Sequence, residues 1–235
     1  MSDSLKPNSS QSGPDRRPVR SFVLRQGRFT QAQRRAMTEL LPRWAIAPRE
    51  PWTSPWTDGR PLALEIGFGN GEHLAHFAAR HPDWGCIGAE VHAPGVGALL
   101  QRLETEGIDN VRVLHGDAMA WLATLPAGVF ALIVIQFPDP WPKKRHHKRR
   151  LLQPESARQL AALLRVGGEL QFATDWEPYA EHALAVLSAT DSLDNLDPDG
   201  AFSPPPENRI PTRFERRGEA LGHRVFDLRF RKRSD

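Results

Sequence analysis

The chain has 235 residues, 40% of them hydrophobic, 25% charged and 8% aromatic, enough for one α/β domain with appendages and too apolar for wholesale disorder. No run of 18 apolar residues occurs, and the longest, Val129–Ile135, is strand-sized, which argues against a membrane span. The polar, Pro/Ser/Arg-rich start lacks the apolar stretch of a secretory signal, and one cysteine, Cys86, cannot form an internal disulfide, so a cytoplasmic setting is expected.

The formal charge of +3 is unevenly placed. Residues 1–50 hold ten basic and four acidic groups, Lys143–Arg150 six basic and none acidic, and residues 207–235 nine against five. The remaining body is strongly acidic. Basic segments on an acidic body suggest a surface that faces a polyanion.

In chain order, residues 1–27 read as a mobile basic tail. Residues 28–60 hold a helix from Thr30, its expected N-cap, to about Leu41, then a Pro/Trp-rich linker packing on the core. The patterned domain spans 61–235. Strands are expected at Leu62–Ile66, Cys86–Val91, Val111–Leu114, Val129–Ile135 and Glu169–Ala173. Helices are expected at Asn70–Arg80, Gly95–Glu106, Ala118–Leu125, Pro154–Leu164 and Glu177–Ser188. Asp191–Pro206 reads as a loop. Thr212–Arg217 and Arg224–Phe230 read as a closing antiparallel hairpin. Alternating strands and helices predict a doubly wound, mostly parallel α/β sheet with this hairpin at its edge.

The first chemical feature is Leu64-Glu65-Ile66-Gly67-Phe68-Gly69-Asn70-Gly71, a glycine turn between strand and helix. Gly67, Gly69 and Gly71 allow close backbone approach to a ligand. Glu72 stands where a dinucleotide fingerprint usually has its third glycine. Glu65 suits a positively charged ligand and repels pyrophosphate, favouring S-adenosylmethionine over NAD. Glu90 ends the second strand, where a carboxylate can take both ribose hydroxyls, and Asp117 follows the third, in reach of an adenine amino group.

The most specific feature is Gln136-Phe137-Pro138-Asp139-Pro140-Trp141-Pro142-Lys143, continuing through Lys144, Arg145, His146, His147, Lys148, Arg149 and Arg150. The prolines aim the Asp139 carboxylate, Trp141 offers a stacking face, and the cations suit phosphates. Histidine pairs only at His146-His147, so no metal site is expected.

With these motifs the chain resembles the bacterial tRNA (guanine-N7-)-methyltransferases, from about Arg20 to Lys232. The matching segments are Glu65–Gly71, Gly88–Val91, Phe137–Arg150, Ala173–Trp176 and Pro211–Gly218. The resemblance implies a class I, Rossmann-like fold that uses S-adenosylmethionine to methylate N7 of the variable-loop guanosine, position 46 of tRNA. It implies that Glu65, Glu90, Asp117 and Asp139 line the cofactor site, that Lys143, Asp175, Thr212, Arg213, Phe214 and Glu215 touch substrate, and that Arg145–Arg150 lie near the RNA. Asp139 is the expected catalytic residue. The expected partner is tRNA, for a monomer or homodimer without membrane or metal. A methyltransferase of another base, an oxidoreductase, or a non-catalytic RNA-binding subunit of the same fold stay open as alternatives.

Overall fold

In the computed structural model, residues 21–22, 29–46, 52–207, 209–210, 215–216, 222 and 224–234 are described. Thr30 accepts from Gln33 N–H while the Gln33 side chain reciprocates, a capping box that starts helix α1 (Gln31–Glu39). A short helix α2 (Leu41–Trp44) follows. The body then alternates β1 (Leu62–Ile66), α3 (Glu72–Arg80), β2 (Gly85–Glu90), α4 (Ala93–Glu106), β3 (Val111–His115), α5 (Ala118–Leu122) and β4 (Phe130–Gln136). A 3₁₀ helix spans Lys144–Arg149. It leads into α6 (Pro154–Leu163), β5 (Leu164–Thr174), α7 (Glu177–Ser188), β6 (Leu193–Asn195) and β7 (Phe226–Lys232).

The sheet order is β3-β2-β1-β4-β5-β7-β6. The first four neighbouring pairs are parallel, and β7 runs antiparallel to both β5 and β6. The sheet is thus doubly wound and mostly parallel, as its apolar strands require: β1 and β2 are buried along their whole length. Alternate residues serve opposite faces. Leu62, Leu64 and Ile66 pack with Leu160, Tyr179 and Leu187, whereas Ala63, Cys86 and Val134 pack with Leu74, Leu99 and Trp44. Trp44 joins that second cluster at 1% exposure, so α2 is part of the core wall.

The edge departs from the sequence expectation. The outer neighbour of β7 is Leu193–Asn195, inside the stretch read as a loop. Of the expected first hairpin strand, Thr212–Phe214 and Arg217 lie outside the described residues, and Glu215 and Arg216 are helical. Three paired residues in an Asp-rich stretch carry too little alternation to register as a strand. β5 also begins five residues early. Leu164 pairs with Phe130 and Glu169 with Leu132, so the residues between bulge out around Gly167.

Candidate functional site

The sheet order reverses between β1 and β4, which opens a crevice at the carboxyl ends of the parallel strands. Gly67 N–H donates to Ala89 O at 2.8 Å and Gly116 N–H to Glu90 O at 3.0 Å, so the ladder runs into the loops at this edge. Gly67, Gly69 and Gly71 have φ of +75°, +57° and +73°, a backbone that side-chain-bearing residues resist. A Cβ at Gly67, Gly69 or Gly116 would meet nothing within 4 Å. At Gly71 it would strike Leu99, and at Gly95, at the start of α4, it would lie 2.2 Å from Gly69 O. The loop is therefore held from behind by α4 and open in front.

The acids ring this opening. Glu90 Oε1 accepts from Val91 N–H at 2.7 Å and His92 N–H at 2.8 Å, and Oε2 from Gly69 N–H at 2.9 Å. That leaves Oε2 one unused lone pair. Asp117 caps α5, its Oδ1 accepting from Met119 N–H at 3.0 Å, and its other carboxylate oxygen makes no hydrogen bond among the described residues. Glu65, 4% exposed, has Oε2 at 2.9 Å from His73 Nδ1. Sequence reasoning passed over His73. A histidine at the second position of a helix gives no local signal, and only the packing of α3 against β2 and α4 brings it to Glu65. Gln136, the last residue of β4, has a buried Oε1 with no hydrogen-bond donor among the described residues.

Phe137 N–H donates to Ala173 O at 2.8 Å, so the Asp139 loop leaves the sheet beside Thr174 and Asp175. Phe137 and Trp141 both sit at positive φ, +49° and +46°, on either side of Asp139. Strain at non-glycine residues is worth of order 1–3 kcal/mol each and persists only where the surroundings impose it. Asp139 and Asp175 are both exposed at this edge. The fold thus brings Glu65, Gly67, Gly69, Gly71, Glu90, Asp117, Asp139 and Asp175 to one end of the sheet.

The loop's anchor is Arg150. Its Nε donates to Pro140 O and its Nη1 to Pro178 O, both at 3.0 Å, and its guanidinium lies 4.9 Å from the Tyr179 ring centre. At 3% exposure it is withdrawn from the surface, which corrects the expectation that it contacts RNA. A run of six cations looks uniform in sequence, but the last turns inward, where it donates to the carbonyls of Pro140 and Pro178. Burial lowers the Arg150 pKa and pushes that of Tyr179 up to about 12. Lys143, Lys144, Arg145, Lys148 and Arg149 stay exposed, with His146 and His147 half-buried. Partial desolvation, then the charges of Arg145, Arg149, Lys143 and Lys148, hold His146 below the usual histidine value.

Trp141 is less open than expected. Arg149 lies 4.9 Å over its ring, His146 meets its edge, and its indole N–H donates to Ser21 O at 3.2 Å. Trp176, at the start of α7, is 40% exposed. Thr212, Arg213 and Phe214 lie outside the described residues. Glu215 is buried and ion-paired with Arg209, which also pairs with Asp227 of β7 at 2.9 Å. Asp227 faces Ala173 across the sheet, so this buried trio abuts the end of β5. Burial, partly offset by Arg209, raises the Asp227 pKa to about 6. Among the described residues no group of three or more His, Cys, Asp or Glu lies close enough to hold a metal ion, and no helix is long and apolar enough to cross a membrane.

A family model described as "Putative methyltransferase" matches residues 59–228. The tRNA (guanine-N(7)-)-methyltransferase of Acidithiobacillus ferrooxidans is 59% identical over 216 residues, 92% of this chain and 95% of that protein. The protein of the same name from Methylococcus capsulatus is 51% identical over 222 residues, 93% and 96% of the two chains. Among solved structures, an rRNA methylase from Streptococcus thermophilus aligns with a TM-score of 0.53 at 16% identity, over 75% of this chain and 89% of its own. That likeness bears on the fold alone.

Proposed function

The chain belongs to the tRNA (guanine-N7-)-methyltransferase family, and on that premise we propose that it methylates N7 of the variable-loop guanosine, position 46, of tRNA, using S-adenosylmethionine. The observation that carries this reading is the shared edge: glycine loop, three acids and the strained Asp139 loop at the switch point, with five exposed cations beginning four residues beyond Asp139.

The residues present fit the methyl donor. Open space at the Cβ positions of Gly67, Gly69 and Gly116 admits a ligand against bare backbone, and Gln136 Oε1 is a buried acceptor in want of a donor. Glu65 would face the positively charged methionine portion, Glu90 the ribose hydroxyls and Asp117 the adenine amine. When bound, the donor supplies an electrophilic methyl on a sulfonium, so positive charge passes to the purine.

Guanine N7 has a lone pair and no proton, so the protein need supply no base. Its part is positioning and charge stabilisation. Asp139 is the group for both, accepting from guanine N1–H and the exocyclic amine and countering the charge that develops on the ring. Adenine lacks that donor pair and would leave the carboxylate unpaired. Asp175 stands beside it as a second acceptor. Lys143, Lys144, Arg145, Lys148 and Arg149 take phosphates.

The test uses purified protein, labelled S-adenosylmethionine and two tRNA transcripts, with guanosine or adenosine at position 46. Label on the first alone, with reductive strand cleavage at that nucleotide, is expected. Label on both, or cleavage elsewhere, would move the target. In the same assay Asp139→Ala should lose methyl transfer and keep most affinity for the donor, and wild-type turnover would remove Asp139 from its role.

A further inference from the structure

Glu65 is the acid that the proposed function turns toward the donor's positive end, yet it is buried beneath the glycine loop, where nothing in its own strand fixes its carboxylate. The side chain of His73 does. Both side chains are nearly inaccessible, at 3% for His73 and 6% for Glu65, and Nδ1 lies 2.9 Å from Oε2. A carboxylate only accepts, so Nδ1 carries the proton and donates. The other ring nitrogen, Nε2, is buried and has no hydrogen-bond partner among the described residues.

Among the described residues His73 alone is hydrogen-bonded to the Glu65 carboxylate. The nearby Cys86 thiol of β2 is pushed up to about 12, by burial first and then by the Glu65 charge, so it stays protonated. His76, on α3 with His73, is shifted down by partial desolvation and by Arg80. Phe77 covers the ring from the next turn, its centre 6.4 Å away. Glu65 Oε1 makes no hydrogen bond among the described residues, so it is the oxygen left for a ligand.

We propose that His73 is a positioning residue for the methyl donor: an Nδ1–H donor that fixes Glu65 by Oε2 and leaves Oε1 for the ligand's cation. This rests on the function proposed above. His73 also stands two residues beyond Gly71, the N-cap of α3, so the same hydrogen bond ties the glycine loop to β1. Loop and acid are aligned by one contact.

The test is calorimetric titration of S-adenosylmethionine into His73→Asn, His73→Gln and His73→Leu, with tRNA affinity and Tm measured alongside. Asparagine puts its amide nitrogen near the Nδ1 position, whereas glutamine puts it near Nε2. His73→Asn is therefore expected to bind the donor within about threefold of wild type, and His73→Gln and His73→Leu to lose about tenfold or more, with tRNA affinity unchanged. The asparagine–glutamine contrast holds even where the leucine variant does not fold, since both keep a buried amide. Equal losses in Asn and Gln, or donor affinity within twofold of wild type in His73→Gln, would overturn the proposal while leaving the function intact. Wild-type protein that binds no S-adenosylmethionine would overturn both.

Discussion

Replacing Arg150 by methionine separates two roles that a cation in a basic run can have. The guanidinium makes two 3.0 Å bonds, to Pro140 O and Pro178 O, and lies 4.9 Å from the Tyr179 ring centre. Methionine refills the apolar volume and leaves both carbonyls without their donor. Bonds from a charged donor are worth about 1.5–3 kcal/mol each, so with two lost and some relaxation the cost should be about 3 kcal/mol. For a chain of this size each kcal/mol moves Tm by about 2–4 °C, which predicts a fall of about 6–12 °C. Pro140 directly follows Asp139, and a catalytic group displaced by about 1 Å can lose a hundredfold in rate, so kcat should drop by about one to two decades. The salt dependence of tRNA KM should not change, because no phosphate contact has gone. Thermal unfolding and steady-state kinetics between 50 and 200 mM salt, about the range in which counterion release is large, measure all three. An unshifted Tm with a shallower salt slope would refute the anchoring role and return Arg150 to the RNA surface.

The exposed cations should behave in the opposite way: Lys148→Ala and Arg149→Ala should each flatten the log KM against log salt slope by about 0.7–0.9 and leave kcat nearly intact. Gly95→Ala places a Cβ 2.2 Å from Gly69 O, so the glycine loop must move. Overpacking of about 1–3 kcal/mol should weaken S-adenosylmethionine about 5- to 150-fold by calorimetry, and unaltered affinity would mean the loop yields freely. Asp227 is raised from 3.8 to about 6, so the folded state holds its proton more tightly than the unfolded one. Its contribution to stability is full below pH 3.8 and lost as pH rises through about 6. Asp227→Asn should therefore lose less Tm than wild type between about pH 4 and 6, the window set by those two values. An identical pH profile in the variant would remove Asp227 as the titrating group.

Much of this molecule was legible in the chain because the signals are local. Apolar runs such as Phe130–Ile135 can only be strands covered on both faces, and glycines spaced in Gly67-Phe68-Gly69-Asn70-Gly71 meet the positive φ that this turn requires. Glu65 near the end of β1, Glu90 ending β2, and Asp117 and Asp139 just beyond β3 and β4 fall at one sheet edge once the strands are parallel, so their grouping follows from strand positions. The tertiary structure decided what depends on direction and on distant partners. Arg150 and Arg149 are equal in sequence, yet one turns inward to two carbonyls, of Pro140 in the loop and Pro178 in α7, that only the folded structure brings within its reach. His73 meets Glu65 because α3 docks against β2 and α4, which sets an orientation that eight residues of sequence separation do not specify. The sheet edge belongs to Leu193–Asn195 because β7, a strand some thirty residues later, supplies the hydrogen bonds that so short a segment cannot specify by its own pattern.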